Sequence, residues 1–174
     1  MLEHLKESGE LDGLHIKKHI ENIIQALAVF QNMLKQSKFS NDPKGAESFV
    51  TLERFILTHM ASLNNIEDKY TIEEAKRHFS FLNELGVKQV ALIIPEPLLK
   101  DKIMSTLNYR NEKWKEYLYS KGNEKDILEY YNNWQNKFLH YIDKFKNVIE
   151  TSVIEVKNDD YAVYGNVILD KFFK

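Results

Sequence analysis

The feature that most constrains this chain is a run of apolar and aromatic side chains: Ile127, Tyr131, Trp134, Phe138, Tyr141, Phe145 and Val148. Their spacing alternates between four and three residues, which puts them on one stripe of an α-helix. A strand repeats its faces every two residues and cannot collect them on one side. The segment from Asn123 to Ser152 is therefore expected to be a single helix of roughly 45 Å at about 1.5 Å per residue.

The same spacing recurs upstream. Ile16, Ile20, Ile23, Leu27, Phe30 and Leu34 predict a first helix from about Gly13 to Ser37, and Phe49, Leu52, Ile56, His59 and Leu63 a second from about Ala46 to Asn64. Thr71 followed by Glu74 is a capping-box signature, opening a third helix with Ile72, Ala75, Phe79 and Leu82 inward and Gly86 just past its end. Pro97 suits the first turn of a fourth, which runs through Leu99, Ile103, Leu107, Arg110, Trp114 and Tyr117 to about Ser120. Only 6 Gly and 3 Pro occur in 174 residues, which favours long uninterrupted helices over many tight turns.

Two stretches resist this pattern. Val87 to Ile94 reads either as a helical face or as a buried extended segment. After Ser152, Val153 to Lys157 reads as extended, and Tyr161, Tyr164, Ile168 and Phe172 suit a short last helix. A hairpin between 153–156 and 161–164 is the competing arrangement. Residues 1–12 form a short docking helix or a frayed end. The expected fold class is all-α or nearly so: an antiparallel bundle of about five helices in one domain, 1–174, with 153–174 as a C-terminal extension packed on it.

Composition narrows the function classes. With no Cys there are no disulfides, thiolate metal sites or cysteine nucleophiles. A net charge of −2 gives no overall attraction to nucleic acid or anionic lipid. The start lacks an apolar signal region, and the longest wholly apolar run, Val90 to Ile94, is far too short to cross a bilayer. A soluble, cytoplasmic protein is expected. Its basic residues are mostly Lys, with Arg only at 54, 77 and 110, and Asn is abundant, as in the AT-biased coding of a low-GC bacterium or its mobile elements.

Three groups of residues invite a chemical reading. Arg54 and His59, four residues between them on a predicted helix, resemble the R-x4–6-H motif of HEPN-type ribonucleases, which are small helical bundles. The resemblance implies metal-independent RNA cleavage across a homodimer. His59 would act on the 2′-hydroxyl or leaving oxygen, and Arg54 would hold the phosphate. Arg110 falls on the predicted apolar stripe of the fourth helix. There a guanidinium needs a carboxylate, an aromatic face such as Trp114, or a bound phosphate or carboxylate. His15 and His19 have a spacing that chelates metal on one helix face, but no third ligand is apparent, and no metal or cofactor is expected.

The leading expectation is a binding or regulatory module acting by protein–protein contact, with a protein partner or a second copy. The HEPN-like ribonuclease, with RNA as substrate, is the alternative, and an enzyme is the less favoured class. The projecting end of the Asn123–Ser152 helix is the place where a partner is expected.

Overall fold

The computed structural model describes residues 13–36, 52, 55–62, 70–107, 109–158 and 160–172. The described residues are mostly helical and include a small two-stranded parallel sheet. It divides into two compact units, residues 2–85 and 86–174.

The first unit contains α1 (Gly13–Gln36), α2 (Ile56–Ser62) and α3 (Ile72–Glu84). The predicted stripe of α1 is buried at Ile16 and Ile20, half-buried at Ile23 and Leu27, and exposed by Phe30. The side chain of Leu34 lies outside the described residues, as does most of the predicted 46–64 helix beyond α2. In α3 the capping box is present in full. Thr71 Oγ1 accepts from the Glu74 N–H at 3.2 Å, and Glu74 Oε2 accepts from the Thr71 N–H at 2.9 Å. Ala75, Phe79 and Leu82 are buried as the spacing requires, and Gly86 follows the helix at φ 75°, the left-handed region that a side chain resists. The Lys17 ammonium on α1 is paired with the Glu74 carboxylate, tying α1 to the start of α3.

The second unit runs β1 (Gln89–Ile93), α4 (Glu96–Leu107), α5 (Glu112–Tyr119), α6 (Glu124–Phe145), β2 (Thr151–Glu155) and α7 (Tyr161–Phe172). Three expectations change here. The predicted fourth helix is two helices, because Asn111 caps a new start by accepting from the Trp114 N–H at 2.9 Å. The predicted 123–152 helix ends at Phe145, and after a closing turn the β-branched run from Thr151 pairs with β1. At 22 residues α6 spans about 33 Å and is shorter than α1, at 24. It is not the longest helix, and the expected projecting end is a turn and a strand.

Val87 to Ile94 resolves as strand. Gln89 to Ile93 pairs in parallel with Thr151 to Glu155, residue for residue. A parallel pair needs a long crossover, and α4, α5 and α6 supply it. Leu99, Ile103, Leu118 and Ile127 form the buried cluster between these helices, with Trp114 and Tyr131 packed against it. Lys100 pairs with Glu124 at 2.6 Å, and Ile94, before α4, meets Gln135, further along α6. The two helices therefore run antiparallel. Asn123 and Asp126 form a second capping box at the start of α6. Gly122, at φ 122°, precedes it, where an added Cβ would collide with the Asp126 carboxylate.

Candidate interaction surface

α7 begins where two Asx side chains turn the chain. Asn158 Oδ1 accepts from the Asp160 N–H at 3.1 Å, and Asp160 Oδ1 accepts from the Ala162 N–H at 3.2 Å. A single buried side chain then anchors the helix. The Tyr164 hydroxyl accepts from the N–H groups of Lys157, at 2.7 Å, and Asn158, at 3.0 Å, and donates to Asn158 Oδ1 at 3.0 Å. Both lone pairs and the proton of the phenol are thus used. Ile168 and Phe172 continue the inward stripe, half-buried, one turn and two turns on.

The rest of α7 is unusual for a surface helix. Val163 and Val167 lie on one flank, and Ala162 and Leu169 on the other, with Asn166 and Asp170 on the outward pole between them. Tyr161 is 64% exposed, Val163 46%, Val167 44% and Leu169 54%. A helix with apolar residues on both flanks normally buries more than one narrow stripe, yet the only fully buried side chain of α7 is Tyr164. Val153 on β2 and Leu92 on β1 add further exposed apolar side chains in the same unit. The inward set of α7 was readable from spacing. The outward set was not singled out, although an apolar count too high for a one-sided helix was its signal.

Arg54, and with it the Arg54–His59 pair, lies outside the described residues. His59 sits in α2, 5% exposed, with its ring edge-on to that of His19 at 5.7 Å between centroids. Arg110 is exposed in the turn between α4 and α5, its guanidinium 5.2 Å from the centre of the Trp114 ring. The helix break at Asn111 takes Arg110 off the apolar stripe, so it needs no buried counter-charge. His15 is exposed on α1, and among the described residues no group of three His, Asp or Glu side chains could hold a metal ion.

One polar cluster in the first unit was not foreseen. The Tyr70 hydroxyl is 2.7 Å from His78 Nδ1, with the rings stacked at 5.6 Å, and Tyr70 is fully buried. Burial holds the Tyr70 phenol above its ordinary range and pulls the His78 imidazolium below its own. Beside them, the hydrogen bond from Lys17, reinforced by the Thr71 N–H, lowers the Glu74 carboxyl to about 2. These contacts knit α1, the segment before α3 and α3 together. Tyr70 is sealed from solvent, while Lys17, Glu74 and His78 are half-buried.

Among the described residues no helix is long and apolar enough to cross a membrane. No known protein family, curated protein or solved structure matches the chain.

Proposed function

We propose that the chain is a cytoplasmic helical-bundle protein that works by protein–protein contact, with α7 as the face that a partner protein or a second copy covers. The observation that carries this reading is the exposed apolar residues on both flanks of α7, a helix whose only fully buried side chain is Tyr164. Covering a half-exposed Val or Leu is worth on the order of 1 kcal/mol each, so Val163 and Val167, which share one flank, supply the apolar centre of a modest interface. Tyr161 adds area at low entropic cost.

The ribonuclease reading of Arg54 and His59 has less behind it. An imidazole that is 5% exposed cannot approach a phosphodiester without its helix moving. Purified protein is expected to leave single-stranded RNA intact without added metal. Cleavage that His59→Ala abolishes would restore that reading.

The interaction reading is tested with a tagged chain and its Val163→Asp, Val167→Asp double variant, expressed in the native host. Both side chains are exposed, so the variant keeps the wild-type circular dichroism spectrum. A protein, or a second untagged copy, that co-purifies with the wild type is expected to be lost from the variant. Equal recovery with both would refute the assignment of α7.

A further inference from the structure

The small sheet has a second unusual contact, on the side of β1 away from β2. The Val156 N–H donates to the Ile93 carbonyl at 2.8 Å, so the peptide groups of Ile93 face β2, as do those of Ala91 and Gln89 in the same register. Those of Val90, Leu92 and Ile94 then point the other way. On that outer side the Gln135 side chain from α6 meets Ile94. Gln135 Oε1 accepts from the Ile94 N–H at 2.9 Å, and Gln135 Nε2 donates to the Ile94 carbonyl at 2.9 Å.

A carboxamide offers the same donor and acceptor as a peptide, so Gln135 stands where the peptide of a neighbouring strand would stand. Among the described residues no third strand occupies this lane. β1 itself, Gln-Val-Ala-Leu-Ile, has neither the charge nor the proline that commonly protects an open edge.

We propose that Gln135 is an edge-closing residue that keeps β1 from pairing with β1 of a second copy. The outer lane reads Val90, Leu92, Ile94, and it is symmetric about Leu92. Two copies laid antiparallel about a two-fold axis at Leu92 would set Leu92 against Leu92 and Val90 against Ile94 at both ends. Each end pair uses both the N–H and the C=O of Ile94, the two groups that Gln135 already holds. With Gln135 in place both outer pairs are forfeited and the central one stands alone, too short a ladder to hold two chains. Without it the N–H and C=O of Ile94 are released for pairing, and Leu92, between Val90 and Ile94, is an exposed residue. This contact is separate from α7 and does not depend on the reading of that helix.

The test is the molar mass in solution, by size exclusion with light scattering over a range of concentrations, of the wild type and of Gln135→Ala. The variant is expected to double its mass relative to the wild type at concentrations at least tenfold lower than any at which the wild type does so. Adding Leu92→Pro removes an outward N–H without touching the β2 ladder, and it is expected to return the mass to the wild-type value. A folded Gln135→Ala that keeps the wild-type mass throughout would overturn the proposal, as would a double variant that stays enlarged. Should Gln135→Ala fail to fold, amide exchange in the wild type decides. The Ile94 amide is expected to exchange at least tenfold more slowly than those of Val90 and Leu92, and equal protection of all three would overturn the proposal.

Discussion

Replacing Tyr164 by Phe removes one oxygen and, with it, the buried polar anchor of α7. The hydroxyl serves two backbone N–H donors and one side-chain acceptor, at 2.7, 3.0 and 3.0 Å. At about 1 kcal/mol net for each hydrogen bond the upper bound is about 3 kcal/mol. Lys157 and Asn158 are exposed, so their N–H groups regain water when the phenol is gone. The ring remains to fill its buried site. The expected loss is therefore about 1 to 2 kcal/mol. Urea denaturation followed by circular dichroism at 222 nm reads it as a lower midpoint at an unchanged slope. If α7 is a separately weak element, amide exchange across Tyr161–Phe172 rises more than that of α6. A midpoint shift worth less than about 0.3 kcal/mol, with α7 exchange unchanged, would refute the role given to this hydroxyl.

Glu74→Gln is expected to cost about 1 kcal/mol near neutral pH, since the amide keeps part of the cap and loses the Lys17 ion pair. Because the folded Glu74 carboxyl titrates at about 2, below its ordinary value of 4.5, the stability it confers is complete above that value. It is lost as pH falls from 4.5 toward 2, and chemical denaturation across that window should show a smaller decline in the variant. His78 is lowered by burial, so below its ordinary 6.5 the unfolded chain takes up the proton first. Stability should fall as pH drops through 6.5 toward the folded value. A His78→Asn variant should show a flatter profile between pH 7.5 and 5.5, and identical profiles would count against the Tyr70–His78 contact. Gly122→Ala combines a φ of 122° with a collision against Asp126, and a loss of about 1 to 3 kcal/mol in the same denaturation assay is expected.

Local features were the legible ones. The Thr71–Glu74 capping box, the stop at Gly86 and the inward residues of α3 depend on neighbours within one turn, and sequence carries that information directly. The apolar stripe of α6 also holds: Ile127, Tyr141 and Phe145 are buried, and Tyr131 packs on the Leu99–Ile127 cluster. The end of that helix was misread for a non-local reason. Val148 and Ile149 continue the helical spacing through bonds back to the Phe145 carbonyl, but the next residues are claimed by β1, far away in the chain. The long helix expected from Pro97 to Ser120 failed at Asn111, a good capping residue whose neighbours nonetheless fit the apolar register. The candidate surface was half legible. Spacing identified Tyr164 and Ile168 as inward, but nothing in it says that Val163, Val167 and Leu169 are exposed.

The central claim is that α7 is a face made to be covered by another protein. It is tested most directly by placing a photo-crosslinking amino acid at Val167, with Lys113 on α5, also exposed, as the control position. Irradiation in the native host is expected to give one discrete adduct from position 167, either a partner protein or a species of twice the chain mass, and none from position 113. Adducts that are absent at 167, or the same from both positions, would contradict the account.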